Sequence, residues 1–369
     1  MAGTITKRGV KNYLVRVPLG TDAHGKRQTL TKTIHGTKAD AERFLTETLR
    51  DRDLGTLIRT DHKTSEYSLT WLAGAVPHLA PQTAADYTYR VDHLLIPLFG
   101  ALPLRDLTPS LVERGLQGIA RDHGVRTGQY CKMIFSQIMK NAVRDRLIPS
   151  NPASGVKLPK APPSIFNVIP EAQIPAFHKA VAGNAYETYF LLLLYTGLRP
   201  SEGLALQWPD WDRDHHRLSI QRTLTRVNGH WTAKEPKTKG SRRSVPIPQI
   251  LTDALTAHYT RCQSAGSDSK WVFANKRGLP VDRYNVMHRH FKPALKAAGL
   301  PAEFRLYDLR HTHATLLLEH GVNPKVVSER LGHASVNMTL NIYSHVLPTM
   351  QDAAIAALDG LWNNKKAEE

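Results

Sequence analysis

Cysteine is nearly absent: the chain holds two, Cys131 and Cys262, far apart in sequence. That excludes a disulfide framework and a cysteine-rich zinc site, and it fits a reducing, cytoplasmic setting. Long apolar runs are missing too. No stretch approaches the roughly 18 uncharged apolar residues needed to span a bilayer, and the N-terminus lacks the apolar run of a secretion signal, so no membrane partner is expected. There is neither a carboxylate cluster of the kind that holds catalytic Mg²⁺ nor a Walker A phosphate loop, and no metal or nucleotide cofactor is expected. Acidic residues are in deficit, 32 against 49 Lys plus Arg, for a formal charge of +17. Such an excess favours a polyanionic partner, and without support for a membrane that partner is nucleic acid.

With 369 residues the chain is too long for one ordinary core. Three patterns divide it into an α+β multidomain protein with expected domains at 1–57, 58–160 and 161–369. Residues 3–34 alternate apolar and polar positions between turn-rich Arg8-Gly9 and Asp22-Ala23-His24-Gly25, the pattern of a small three-stranded sheet. Thr37 followed by Asp40 forms a capping box that opens a helix through Phe44, Leu45 and Leu49, ending near Gly55, to cover one face of that sheet. Lys7, Arg8, Lys11, Arg16, Lys26, Arg27 and Lys32 all fall here, and the uncovered face is expected to be basic, either for DNA or as a solvated surface.

From about Thr64 to Asn151 the period becomes helical, with segments around Leu69–Val76, Ala84–Phe99, Thr108–Asp122 and Arg126–Leu147. This predicts a helical bundle whose last helix carries Lys132, Lys140, Arg144 and Arg146 as candidate phosphate ligands or ordinary surface charge. Residues 149–164 are proline-dense and aperiodic, the composition of a linker. Beyond them the pattern predicts a mainly α domain with a small antiparallel sheet: helices near 171–182 and 187–195, strands near 217–247, then helices.

Within this last domain four segments stand out. The apolar helix Tyr189–Tyr195 stops at Gly197 and restarts at Pro200, which fixes Arg199 at a helix junction. The strand Arg217–Val227 runs into the hairpin signal Asn228-Gly229, and the following turn carries Lys237 and Lys239. Arg305 to Ala314 crowds Tyr307, Arg310, His311 and His313 into the start of a helix; the two histidines are two positions apart and do not share a face, so one metal is not their purpose. A helix from Asn323-Pro324 ends at Gly332, placing His333 just past it, and Ser335 opens a further helix with Val336, Leu340 and Tyr343 along one stripe.

Taken singly, each is an ordinary structural residue. Together, Thr196-Gly197-Leu198-Arg199-Pro200-Ser201-Glu202, Leu309-Arg310-His311-Thr312-His313-Ala314, Leu331-Gly332-His333 and Asn341-Ile342-Tyr343-Ser344-His345 resemble, in order and spacing, the tyrosine recombinase family of phage-integrase type. The N-terminal basic unit and the helical bundle are similar to its arm-binding and core-binding domains. The resemblance implies a site-specific recombinase that cuts and rejoins double-stranded DNA at attachment sites through a 3′-phosphotyrosine. Arg199 and Arg310 would clamp the scissile phosphate, Lys237 would protonate the leaving 5′ oxygen with Lys239 as the alternative, His333 would hydrogen-bond the phosphate, and Tyr343 would be the nucleophile.

Tyr307 departs from the pattern, standing where most members carry histidine. A phenol donates or accepts a hydrogen bond but is no near-neutral base, which leaves the general base open. An architectural DNA-binding protein of the same fold and a type IB topoisomerase therefore remain alternatives. The resemblance further implies a homotetramer on two duplexes, a directionality factor or host DNA-bending partner, and a C-terminal tail over Met350–Trp362 that docks within its own protomer or on a neighbour.

Overall fold

The computed structural model describes residues 3–21, 27–53, 62–162, 166–227, 230–234 and 242–343, together with Ile355, Leu358 and Asp359. The chain separates into two compact units, Met1–Pro162 and Pro163–Glu369.

The first unit begins with an antiparallel sheet of β1 (Thr4–Gly9), β2 (Asn12–Thr21) and β3 (Arg27–His35) in that order. Ile5 pairs with Val15 and Val15 with Lys32, so the pleat turns Ile5, Val15, Val17, Leu30 and Ile34 toward one side. Helix α1 (Lys38–Asp53) buries that side with Ala41, Phe44, Leu45 and Leu49. The expected capping box is present: the Asp40 amide donates to the Thr37 hydroxyl at 3.3 Å and the Thr37 amide to the Asp40 carboxylate at 2.7 Å.

The basic residues are distributed differently from the expected single face. Arg16 pairs with Thr4 and Thr31 on the open side, whereas Lys32 shares the helix side with Val15 and sets its ammonium 4.9 Å from the Phe44 ring centroid. Alternation along β3 decides this, because Lys32 lies two residues from both Leu30 and Ile34. Lys7, Arg8, Lys11 and Arg27 are exposed, and Lys26 lies outside the described residues.

The bundle follows as α2 (Thr64–Ala75), α3 (Pro81–Arg90) flowing through a π turn into α4 (Ile96–Phe99), α5 (Pro109–His123) and α6 (Val125–Arg144). Leu72, Val91, Phe99, Leu116, Phe135 and Ile138 form its centre. The proline-rich segment is not free chain up to Pro159. Ile148, Ala153 and Val156 are buried in the bundle core, Lys132 donates to the Val156 carbonyl at 2.5 Å, and Gln129 donates to the Pro159 carbonyl at 2.9 Å. Carbonyls of extended, proline-rich backbone have no partner within their own segment and take side-chain donors instead. Lys132 is thus half-buried and engaged; Lys140 and Arg144 are exposed, with Arg144 paired to Asp145 at 3.2 Å.

The second unit is built around α8 (Glu187–Thr196), in which Tyr189 to Leu194 are all buried. A helix apolar on every side belongs in the middle of a core. It follows α7 (Ile174–Val181) and precedes the single turn α9 (Pro200–Gly203). A sheet of β4 (Trp211–Asp212), β5 (Arg217–Ile220) and β8 (Arg243–Pro246) and a separate hairpin of β6 (Thr223–Val227) and β7 (His230–Lys234) come next. The single strand expected over 217–227 is therefore two strands in two sheets. Arg222, at the break, donates to the buried Asp210 carboxylate at 2.5 Å. Helices α10 (Gln249–Ser264), α11 (Arg283–Asn285), α12 (Lys292–Ala297), α13 (Asp308–Glu319), α14 (Pro324–Leu331) and α15 (Val336–Tyr343) complete the unit.

Candidate active site

Arg199 is positioned by the way α8 ends. Gly197 takes the left-handed conformation at φ 65°, and a Cβ there would lie 2.6 Å from both His313 and Leu331. No other residue fits that close approach without displacement. Arg199 then caps α9: its amide donates to one Glu202 oxygen at 3.0 Å and its Nη1 to the other at 2.7 Å. Nη2 reaches the Gly332 carbonyl at 3.3 Å, which ties the junction to the chain just before His333.

Glu202 is 3% exposed and holds a second cation, Arg243, whose Nη2 donates to it at 2.9 Å. Burial pushes the Glu202 carboxyl up, but Arg243 and then Arg199 outweigh it and hold the group below its ordinary value. The carboxylate thus neutralises part of a concentrated positive field while fixing both guanidinium groups. Arg243 also donates from Nε to the Arg330 carbonyl at 2.7 Å. It lies so close to Gly332, φ 67°, that a Cβ there would meet its Nη1 at 2.8 Å.

Arg310 is the largest fully buried side chain among the described residues. Nη1 donates to the Gly197 carbonyl at 2.8 Å; Nη2 is buried and has no hydrogen-bond partner among them. Burial brings the guanidinium down to about 10, with Arg199 and Arg243 pressing in the same direction against Tyr307 and Glu202. The cost relative to water is on the order of 3 kcal/mol, and an anion placed on Nη2 would relieve it.

His333 follows the left-handed end of α14 and hydrogen-bonds the Thr339 hydroxyl through Nδ1 at 2.7 Å. Burial lowers it to about 3, helped by Arg310, Arg199 and Arg243, so the imidazole is neutral at pH 7. The same interactions show that His333 shares one electrostatic neighbourhood with both arginines. Tyr343, at the end of α15, is 1% exposed; its hydroxyl lies 2.9 Å from Nδ1 of His311. Burial raises the phenol above its ordinary value, with Arg310 partly opposing.

Arg199, Arg310, His333 and Tyr343, from four separate motifs, thus converge in the second unit. Tyr307 stands immediately before α13, 38% exposed, with its ring centroid 5.3 Å from that of His311. Lys237 and Lys239 lie outside the described residues, as does the tail over Met350–Trp362 except for Ile355, Leu358 and Asp359. Three neighbours were not assigned parts from sequence: Glu202, Arg243 and His311. Glu202 had a visible signal in its i+3 spacing from a helix-capping residue, and His311 one in its i+4 spacing from Tyr307; Arg243 had none. His313 points elsewhere, its Nδ1 donating to the Leu194 carbonyl at 2.9 Å while Nε2 accepts from Arg330 at 3.0 Å. The two histidines therefore serve opposite sides of α13, as their spacing implied.

As a chemical device the cluster offers two fixed guanidinium groups, one with a spare donor, a neutral imidazole and a phenol, the set that suits a tetrahedral oxyanion under nucleophilic attack. Residues 167–350 match the phage integrase family. A tyrosine recombinase XerC-like protein of Caldanaerobacter subterraneus subsp. tengcongensis is 29% identical, covering 96% of this chain and 98% of that protein. The Tn1549 transposon integrase, solved in complex with a circular intermediate DNA, superposes with a TM-score of 0.70 at 20% identity over 80% of this chain and 99% of that one. A lambda integrase, crystallised as a tetramer bound to a Holliday junction, gives a TM-score of 0.55 at 15% identity over 90% and 95% of the respective chains.

Proposed function

The chain belongs to the phage integrase family of tyrosine recombinases and is a site-specific DNA recombinase; we propose that Arg199, Arg310, His333 and Tyr343 carry its strand cleavage. The observation that carries this assignment is the spare Nη2 of buried Arg310. A guanidinium held by one nitrogen and open at the other is prepared for a non-bridging phosphate oxygen. Arg199 supplies the second cation, and Glu202 and Arg243 keep it aimed.

The reaction follows from these groups. The Tyr343 oxygen attacks the phosphorus, a 3′-phosphotyrosyl bond forms and the P–O5′ bond breaks. The transition state carries more negative charge than the diester, which is where fixed guanidinium groups contribute most. His333, neutral before DNA arrives, donates from Nε2 to a phosphate oxygen while Nδ1 accepts from Thr339. Lys237 protonates the leaving 5′ oxygen. Because the ester bond is conserved as a phosphotyrosyl ester, a 5′-hydroxyl from a partner strand reverses the step without ATP, and exchange of strands is recombination. The chain integrates and excises a phage or other mobile element, as a homotetramer on two duplexes, with a directionality factor or host DNA-bending protein setting direction.

The attachment sequence is obtained by sequencing the flanks of the gene for repeats. A duplex of that sequence, nicked beside the crossover point so that the cleaved strand diffuses away, should accumulate a covalent protein–DNA adduct, and paired intact sites should give recombinant joints. Binding without adduct would make the protein architectural. Adduct with relaxation of supercoils but no joints would make it a topoisomerase.

A further inference from the structure

The group touching the Tyr343 hydroxyl is one to which the family resemblance gives no part. His311 Nδ1 lies 2.9 Å from the phenol oxygen. Its ring stacks on Phe166 at a centroid distance of 4.2 Å, and Phe166 meets the Tyr343 ring edge-on at 5.8 Å. One aromatic wall therefore fixes both partners of the contact. Tyr307 stands where an imidazole was expected and offers no basic nitrogen, while its ring packs 5.3 Å from His311. The imidazole that stands beside the phenol comes instead from a residue four positions later, one helical turn along α13.

We propose that His311 accepts the proton of Tyr343 during strand cleavage, an inference that rests on the reading of Tyr343 as nucleophile. As the Oη–P bond forms, the Oη–H bond breaks and its proton passes to Nδ1 of His311; the P–O5′ bond breaks and the leaving oxygen takes a proton from the general acid. On rejoining, Nδ1 returns the proton to the phenolate as an incoming 5′-hydroxyl displaces it, and that hydroxyl gives its own proton back to the general acid's conjugate base. The resting imidazole is the tautomer with hydrogen on Nε2.

The charges around the pair explain why it stays inert without DNA. Burial raises the phenol and lowers the imidazole to about 4, so both rest neutral and hydrogen-bonded. Asp308 favours the imidazolium, whereas Arg310 and Arg305 oppose it. A phosphate seated on Arg310 offsets the larger of those opposing charges and adds an anion beside the ring. Proton transfer then becomes favourable when the substrate is in place, and an ionised tyrosine is never left waiting in an empty site.

Two substitutions separate proton acceptance from mere positioning. In His311→Asn the amide oxygen can accept the same hydrogen bond but is not a usable base; His311→Ala opens a space that free imidazole can enter. In single-turnover cleavage of the nicked duplex both should bind DNA and melt near the wild type and lose at least about 10²-fold in rate. Added imidazole should recover His311→Ala and leave His311→Asn unchanged. Near-wild-type cleavage by His311→Asn, or loss in His311→Ala that imidazole does not recover while DNA binding is intact, overturns the inference. Failure of the wild type itself to form an adduct overturns the nucleophile assignment instead.

Discussion

Arg310 Nη1 donates to the Gly197 carbonyl at 2.8 Å across 113 positions of chain, fastening the start of α13 to the end of α8. One nitrogen of the guanidinium is used by the fold and the other is left over. Activity and stability should therefore separate at this residue. Arg310→Met keeps much of the volume and removes a buried, incompletely paired charge, so we expect cleavage to fall by at least about 10²-fold while the melting temperature is held or raised. Thermal melts alongside single-turnover cleavage check this; a large loss of melting temperature would mean that the Gly197 contact outweighs the buried charge.

Glu202 binds Arg199 at 2.7 Å and Arg243 at 2.9 Å from a nearly solvent-free position. Glu202→Gln keeps the shape and removes the charge, leaving two guanidinium groups facing each other. The expected cost in stability is on the order of 3 kcal/mol, accompanied by slower cleavage. The folded carboxyl lies below its ordinary 4.5, so its contribution is present above pH 4.5 and is lost as pH falls through the folded value. Urea unfolding across that range should show an acid-side loss that Glu202→Gln lacks.

His313 supplies an independent pH signature. Burial and Arg330 bring it from 6.5 to about 3. The unfolded chain takes up a proton below pH 6.5 that the fold refuses, so stability is lost progressively as pH falls from there toward about 3. By pH 5 the loss is about 2 kcal/mol from this residue alone. In His313→Gln, which can still donate to Leu194 and accept from Arg330, the unfolding free energy should decline less steeply with acid by about 1.4 kcal/mol per pH unit.

Helix ends were the most legible part of the sequence. Gly197 and Gly332 read as helix-ending glycines and take φ values of 65° and 67°, and the Thr37–Asp40 capping box opens α1. Caps are local, so a few residues of sequence contain all of their physics. What escaped was decided by contacts between distant segments. No glycine, proline or other turn residue marks Gln221-Arg222 as a strand end, and Arg222 there meets Asp210, twelve positions earlier. Ile148, Ala153 and Val156 have no period, yet all three are buried in the bundle. His311 read as one of a crowded histidine pair; its bearing on Tyr343 depends on how α15 returns against α13.

Strand cleavage by this route leaves the Tyr343 oxygen covalently bonded to DNA. The most direct measurement is to trap the adduct on the nicked duplex, digest it with protease, and identify the nucleotide-bearing peptide by mass spectrometry, with Tyr343→Phe in parallel. The linkage should map to Tyr343, and Tyr343→Phe should bind the duplex as the wild type does and form no adduct. A linkage mapped to Tyr307 or another residue, or an adduct retained by Tyr343→Phe, would contradict the account.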